Sequence, residues 1–144
     1  MKCGIRRCEL DDAPAIYELN RREMGYEYPL EQTARKLERL LADNAHRIYV
    51  AETNGNVVGY IHAQDYDVLY AMHYKNVLGI AVYAEYRHQG IGRMLLSAVE
   101  NWGKETGAAG IRLVSGAGRT GAHAFYRHCG YDGGKQQINF KKTL

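Results

Sequence analysis

Apolar residues recur at helical spacing in the second half of the chain. Over residues 91–102 they occupy positions i, i+3, i+4, i+7, i+8 and i+11, namely Ile91, Met94, Leu95, Ala98, Val99 and Trp102. This stripe predicts an amphipathic helix with one buried face. The segment before it, VLGIAV at residues 77–82, is a short apolar run rich in β-branched residues, and it predicts a buried strand. The pattern therefore indicates a strand, a turn and a helix in succession.

The remaining pattern adds further strands and helices. Strands are predicted at residues 4–9, 47–52, 57–63, 110–115 and 136–142, and helices after Asp11 or Asp12, after Pro29 and at residues 120–130. Asn54 and Gly55 are a strong signal for a hairpin between the second and third strands. The order β-α-α-β-β-β-α-β-α-β predicts an α/β (α+β) domain with a mixed sheet.

The composition is that of one ordinary globular domain. The chain has 144 residues, 46% of them hydrophobic, and a net charge of only +3, so we expect one domain over residues 1–144 and no nucleic-acid partner. No apolar stretch approaches the roughly 20 residues of a membrane span, and the N-terminus lacks the apolar core of a signal peptide. Cys3, Cys8 and Cys129 form no metal-binding or redox motif. We therefore expect a cytoplasmic protein with no bound metal and no membrane partner.

Two glycines open the predicted helix. Glycine costs conformational entropy there and adds nothing to packing, so Gly90 and Gly92 indicate a need for bare backbone. A helix N-terminus carries unpaired N–H groups and the positive end of the helix dipole, which suit a phosphate. Arg87, His88 and Arg93 add positive charge on the same turn. The turn is either a cradle for phosphate or pyrophosphate, or a loop that needs a positive φ and carries a solvated basic rim.

A second glycine cluster competes for the same interpretation. The stretch GAGRTG places Gly116, Gly118 and Gly121 in a G-x-G-x-x-G pattern between a predicted strand and a predicted helix. A dinucleotide-binding unit needs a further strand that ends in an acidic residue about 20 residues later. Only 23 residues follow Gly121, and the stretch KQQINFKKTL contains no acid. We therefore interpret this cluster as a flexible connection between strand and helix.

Two motifs at a set distance resemble those of the GCN5-related N-acetyltransferases (GNAT). The strand GIAV followed by RHQGIGRML is similar to the family's coenzyme A loop, with Arg87, Gly90 and Gly92 at the patterned positions. Downstream, FYRHCGY is similar to the family's later helix, in which Tyr126 matches the tyrosine and Gly130 begins the terminal Gly-aromatic pair. The resemblance spans nearly the whole chain. It implies a single domain with a mixed, mostly antiparallel sheet flanked by helices.

The resemblance implies transfer of an acetyl group from acetyl-coenzyme A to an amine. The pyrophosphate would rest on backbone amides at the glycine turn, and the pantetheine arm would pair with the free backbone of the preceding strand. The residues expected to contact coenzyme A are Ile80, Ala81, Val82, Arg87, His88, Gln89, Gly90, Ile91, Gly92, Arg93 and Arg119. A backbone N–H there, that of Val82 by position, would meet the thioester oxygen.

Tyr126 is the expected general acid, because a phenol with a pKa near 10 is well matched to a departing thiolate. The alternative is a tyrosine that only packs on an amphipathic helix. The general base departs from the family pattern, since many relatives carry a glutamate where this chain has Gly79. The candidates are His62, Asp65, Asp67, His73 and Tyr74, or a chain of water molecules.

The acceptor is expected to be a primary amine of a small molecule. The form Arg-x-x-Ala-His-x-Phe-Tyr is similar to aminoalkylphosphonate acetyltransferases and other small amine acetyltransferases, and Arg119 disfavours a protein N-terminus as substrate. The alternatives are a protein or peptide amine, or a module that binds acyl-coenzyme A without catalysis. The acceptor pocket is expected around residues 21–28 and 65–74. We also expect a homodimer that pairs through an exposed final strand at residues 136–142.

Overall fold

The computed structural model describes residues 2–144. These separate into two compact units, residues 2–113 and 114–144. The first unit contains, in chain order, β1 Cys3–Arg7, a 3-10 turn Leu10–Asp12, α1 Ala13–Met24, α2 Leu30–Leu41, β2 His46–Thr53, β3 Asn56–Tyr66, β4 Tyr74–Val82, a 3-10 turn Ala84–Tyr86, α3 Ile91–Glu105 and β5 Gly110–Leu113. The second unit contains one helix, α4, Thr120–His128.

The five strands form one sheet in the order β1-β2-β3-β4-β5. Neighbouring strands are antiparallel except for β4 and β5, which are parallel. Asn54 and Gly55 both adopt left-handed conformations, with φ of 52° and 79°, and such a turn matches the twist of the hairpin between β2 and β3. The mixed, mostly antiparallel sheet predicted from the sequence is confirmed.

The two faces of the sheet pack against different helices of the first unit. Tyr60 on β3 lies in a buried cluster with Leu19 of α1 and Leu37 of α2. Successive side chains of a strand point to opposite faces, so Ile61 points the other way, where α3 packs with its buried Trp102. Each face therefore buries its own apolar layer, which holds β3 and β4 at the centre of the sheet.

A buried lysine on the α3 face pairs with a partly exposed aspartate. Lys75 is 1% exposed, and its Nζ donates to Asp65 Oδ1 over 2.5 Å. The same ammonium lies 3.7 Å from the centre of the Trp102 ring. A buried ammonium is tolerated because the carboxylate and the ring face both compensate it. This pair ties the start of β4 to the end of β3.

The predicted final strand is wrong. Residues 132–144 contain no helix or strand, and Ile138 and Phe140 are 79% and 86% exposed. The alternation of Ile138 and Phe140 suits a strand, but a strand also needs a neighbour to satisfy its backbone groups. Among the described residues, the second unit contains no strand, so this unit supplies no neighbour with which residues 136–142 could pair. The homodimer, which was argued from this strand, stays a prediction without that support.

No helix within residues 2–144 combines the length and the apolar character needed to cross a membrane.

Candidate functional site

Strand β4 separates from β5 halfway along its length. The parallel pairing runs from Tyr74 opposite Gly110 to Val77 opposite Leu113 and stops there. The next residue, Leu78, has no partner on β3, because its two neighbours in sequence pair with consecutive residues of that strand. Such a bulge bends the strand that carries it. Within the first unit, β4 is paired only with β3 beyond this point.

The residues beyond the bulge present backbone groups at the unpaired edge. The Tyr83 N–H donates to the Val58 carbonyl of β3 over 3.0 Å. Because backbone groups alternate along an antiparallel strand, Ala81 is directed to β3, whereas Ile80 and Val82 are directed away from it. Of the three residues expected to pair with the pantetheine arm, two therefore offer N–H and C=O groups on the open side.

The chain then turns into α3 through two left-handed residues. His88 has a φ of 64° and Gly90 a φ of 81°. No described residue accepts a hydrogen bond from the backbone amides of residues 88–92. These amides lie at the N-terminus of a helix of 15 residues, so the positive end of its dipole adds to them. The turn has the properties of an anion site.

Gly90 is explained first by its backbone conformation. A Cβ at this position would have nothing within 4 Å, so no protein atom crowds it. A φ of 81° nevertheless strains a residue with a side chain. The loop geometry thus accounts for this glycine, and the row of outward amides is a separate observation.

Helix α1 braces the turn through two acidic–basic pairs. Glu23 accepts from the Arg87 guanidinium over 2.6 Å and from the Ala84 N–H over 3.2 Å. Arg22 pairs with Glu85 at 3.3 Å. The Arg87 charge, expected to face phosphate, is therefore offset by Glu23, and this side chain acts as a brace. The sequence offered no signal for Glu23, because the contact spans 64 positions in sequence.

A cavity of about 580 Å³ lies beside the bulge of β4. It is lined by residues of α1, the following loop, α2, β3 and β4, namely Asn20, Met24, Tyr26, Glu27, Tyr28, Lys36, Tyr60, His62, Leu78 and Gly79. The expected acceptor segment at residues 21–28 contributes four of these. The other expected segment, residues 65–74, contributes none.

The polar groups of the cavity include a buried phenol and a carboxylate. The Tyr60 hydroxyl donates to Asn20 Oδ1 over 2.5 Å, and burial raises the pKa of Tyr60 to about 12. This phenol therefore stays protonated at neutral pH and is not a base. Glu27 is the carboxylate among the lining residues, and the Lys36 ammonium lies 5.0 Å from the centre of the Tyr28 ring.

His62 is the lining residue that was also a candidate for the general base. It lies on β3 directly opposite Gly79. Its Nε2 is 2.8 Å from His46 Nδ1 on β2. Burial, and then the neighbouring His46, lowers the pKa of His62 to about 4. The imidazole is therefore neutral at physiological pH. The pairing with His46 had no sequence signal, since it depends on the register of β2 against β3.

The other candidates for the base do not line the cavity. Asp65 Oδ1 accepts from both Lys75, over 2.5 Å, and His73, at 2.8 Å. Burial alone would raise the pKa of Asp65, but these two hydrogen bonds outweigh it and the pKa is lowered. Asp65 and His73 are thus engaged with each other and with Lys75, and Asp67 and Tyr74 also lie outside the lining.

The second unit holds the remaining predicted residues on or beside α4. Arg119 stands at the N-cap, and His123 Nε2 lies 2.8 Å from the Gly116 carbonyl, which fixes the turn before the helix. Tyr126 packs near Phe125, with 5.2 Å between ring centres. Burial raises the pKa of Tyr126, although Arg119 acts in the opposite direction. Its phenol therefore keeps its proton at neutral pH, as a proton donor must.

The cysteines of the described chain are all free. Burial raises the pKa of the Cys8 thiol to about 12, so this thiol is not an activated nucleophile. Residues 2–144 contain no cluster of three or more His, Cys, Asp or Glu side chains arranged to hold a metal ion.

The strand edge, the amide-lined turn and the cavity adjoin one another along β4. Residues 13–131 match the acetyltransferase (GNAT) family. The match covers most of the chain, which therefore belongs to this family and is an N-acetyltransferase that uses acetyl-coenzyme A as donor. No curated protein matches the sequence significantly.

Solved structures share the whole fold. The aminoglycoside N-acetyltransferase AAC(6')-Iy, in complex with a coenzyme A bisubstrate analogue, has a TM-score of 0.88 at 18% identity, with 100% of each chain covered. A transcriptional regulator from Bacillus halodurans C-125 has a TM-score of 0.87 at 19% identity, covering 98% of this chain and 100% of that one. The aminoglycoside 6'-N-acetyltransferase AAC(6')-Ih from Acinetobacter baumannii has a TM-score of 0.86 at 18% identity, with 99% of each chain covered. At such low identities, the structural likeness establishes the fold and nothing further.

The lowered pKa of His62 predicts a specific acid sensitivity. The unfolded chain takes up a proton at His62 near pH 6.5, whereas the folded protein does so only near pH 4. The unfolded state thus binds more protons between these values, and the contribution of His62 to stability is full above pH 6.5 and lost as the pH falls to about 4. Between pH 7 and 4, the wild type should lose up to roughly 3 kcal/mol more than His62→Gln.

Urea denaturation of both proteins at pH 7 and pH 4 measures this difference. His88→Asn is the matched control, because His88 is exposed and asparagine tolerates its left-handed φ. This variant should keep the pH dependence of the wild type. Equal losses of stability in the wild type and His62→Gln would contradict the assignment of a buried neutral imidazole.

Proposed function

We propose that the protein acetylates a primary amine of a small molecule, with acetyl-coenzyme A held along β4 and the acceptor in the cavity beside Gly79. The observation that carries this proposal is the continuity of two backbone features. The unpaired edge of β4 runs directly into the turn whose amides, at residues 88–92, have no acceptor among the described residues. An extended arm and a pyrophosphate are joined in the same order in coenzyme A.

The strand edge serves the donor by adding to the sheet. The pantetheine arm contains amide groups, and the outward backbone groups of Ile80 and Val82 are suited to pair with them as a further strand would. The Val82 carbonyl accepts from Arg87 Nε over 3.3 Å. Its N–H is left to donate to the thioester oxygen, where negative charge develops as the amine attacks. The bulge at Leu78 sets the point at which this edge becomes available.

Proton handling completes the reaction. When bound, acetyl-coenzyme A supplies an activated thioester, so the enzyme must orient the amine, stabilise the oxyanion and manage protons. Tyr126 donates a proton to the departing sulfur. Its raised pKa keeps the phenol protonated at neutral pH, so the proton is in place when the sulfur departs. Arg119, on the same unit, adds positive charge for the donor's phosphates.

The acceptor class follows from the lining of the cavity. Glu27 attracts an ammonium group, and Tyr26 and Tyr28 line the same cavity. A volume of about 580 Å³ suits a small molecule. Two of the similar structures are aminoglycoside N-acetyltransferases, which supports a small amine as acceptor. The cytoplasmic location and the homodimer remain predictions of the sequence.

Screening amines with acetyl-coenzyme A, with thiol release as the signal, tests the activity itself. A saturable, amine-dependent release of coenzyme A is the expected result. Coenzyme A binding without acceptor-dependent release from any amine would contradict the proposed reaction.

Substitution at Gly90 tests the coenzyme A turn. Gly90→Ala adds a methyl group beside the outward amides and should weaken coenzyme A binding at least about tenfold, a loss of about 1.4 kcal/mol. Gly107→Ala is the matched control. Gly107 also has a left-handed φ, 76° against 81°, and a Cβ added there would likewise have nothing within 4 Å, but it lies beyond the other end of α3.

Both variants should lose similar stability, roughly 1–2 kcal/mol, because both place a side chain at a left-handed φ. Calorimetric titration with coenzyme A then isolates the effect on binding. Equal affinity in the two variants would remove the turn at residues 88–92 from the donor site.

Substitution of Tyr126 tests the proton donor. Tyr126→Phe removes one oxygen and should leave coenzyme A affinity nearly intact while lowering kcat by roughly 10²- to 10⁴-fold. A role in the transition state reduces kcat and kcat/KM together. Tyr131→Phe is the control, since the rings of Tyr126 and Tyr131 lie 6.3 Å apart in the same unit. Wild-type turnover in Tyr126→Phe would leave Tyr126 with a packing role only.

A further inference from the structure

Two histidines lie between the cavity and a carboxylate in the turn that precedes β2. His62 lines the cavity, and its Nε2 lies 2.8 Å from His46 Nδ1. The ring centres are 5.1 Å apart. On the other side of His46, its Nε2 lies 4.0 Å from Asp43 Oδ2. The His46 side chain is 17% exposed and Asp43 is 47% exposed, so the series runs from the cavity towards solvent.

The turn before β2 fixes Asp43 in this position. The Asp43 Oδ1 accepts from the Ala45 N–H over 2.9 Å, and the Asp43 carbonyl accepts from the His46 N–H over 3.0 Å. The carboxylate is thereby held against the ring edge of His46. The hairpin register then sets His46 diagonally across from His62.

Electrostatics selects one arrangement of protons in this pair. A hydrogen bond between two neutral imidazoles needs one N–H and one lone pair. A lone pair on His46 Nε2 would face the Asp43 carboxylate, which has only lone pairs to offer, so the proton of His46 belongs on Nε2. His46 Nδ1 then accepts from His62 Nε2–H, and the lone pair of His62 lies on Nδ1. The cavity-lining imidazole is therefore a proton acceptor at the nitrogen not bound to His46.

We propose that His62 is the general base of the acetyl transfer, with His46 and Asp43 sharing the positive charge that it acquires. An N–H bond of the acceptor's ammonium group breaks as the Nδ1–H bond of His62 forms, which leaves a neutral amine to attack the thioester. The Nε2 proton of His62 shifts to His46 Nδ1, so the cation lies beside Asp43. When the C–S bond breaks, the sulfur takes the phenolic proton of Tyr126, and the second proton lost by the amine nitrogen returns to the Tyr126 phenolate through water. After the amide product leaves, the proton on His46 Nδ1 returns to His62 Nε2, and His62 Nδ1 releases its proton to water in the cavity. This inference rests on the proposed function and identifies its missing base.

His46 reduces the energetic cost of placing a positive charge on the buried His62. Burial lowers the pKa of His62 to about 4, so this imidazole is always ready to accept a proton but holds it poorly. Moving the charge to the more exposed His46, next to a carboxylate, relieves the cost of a buried cation. The other titratable groups around the cavity are Tyr26, Glu27, Tyr28, Lys36 and Tyr60. Of these, Glu27 is the competing base.

The kinetic test compares His62→Gln, His46→Gln and Glu27→Gln in the full chain with saturating acetyl-coenzyme A. His62→Gln should lower kcat by roughly 10²- to 10⁴-fold and abolish the acidic limb of the kcat/KM profile, with coenzyme A affinity unchanged. His46→Gln should lower kcat less, because His62 then carries the charge alone, and should leave KM for the amine unchanged. A purely structural role for His46 would raise that KM as well, because the cavity-lining ring of His62 would be displaced. Loss of the limb in Glu27→Gln, with His62→Gln retaining it, would overturn the proposal.

An independent readout needs no acceptor and no variant. Nitrogen chemical shifts of ¹⁵N-labelled histidines distinguish the two neutral tautomers and the cation. At pH 7 the proposal requires His62 to be neutral, with its proton on Nε2. A proton on Nδ1 of His62 overturns it, even if every amine screened is a substrate. Conversely, failure of the amine screen would count against the proposed acetyl transfer and would not alter the tautomer.

Discussion

The unpaired half of β4 is the constraint on which the rest of the site depends. A parallel pairing of four residues ends at Val77, and the bulge at Leu78 follows at once. If β5 continued along β4, the outward backbone groups of Ile80 and Val82 would be consumed by the ladder. Because they are not, a backbone-lined edge exists inside an otherwise ordinary sheet. Its chemistry is that of main-chain amides, which any sequence can supply once the geometry is set.

Helix α1 contacts both the turn that follows β4 and the cavity beside it. Near its end, Glu23 fixes the turn that follows β4 through Arg87 and the Ala84 N–H. One turn earlier, Asn20 accepts from Tyr60 and helps to line the cavity. One helix thus positions both the amide-lined turn and the cavity against the same strand. Under the proposed function, displacing α1 disturbs donor and acceptor together.

Much of the fold was predictable because residues close together in the sequence determine it. The stripe from Ile91 to Trp102, the Asn54-Gly55 turn and the N-cap glycine of α3, Gly90, each act within a few residues. The final strand failed for the opposite reason, since Ile138 alternates correctly but pairing requires a partner that sequence does not reveal. The contact of Glu23 with Arg87 and the contact between His46 and His62 were also not predictable from the sequence. Each depends on register or on elements far apart in the chain.

The most direct test of the account is a map of backbone amide shifts on addition of coenzyme A. Two-dimensional ¹⁵N–¹H spectra of the labelled protein report each amide separately. We expect the largest changes at residues 88–92 and at the amides of Ile80 and Val82, with a smaller change at Ala81, whose N–H is directed to β3. Saturable changes that leave these amides unmoved would contradict the assignment of β4 and its turn as the donor site.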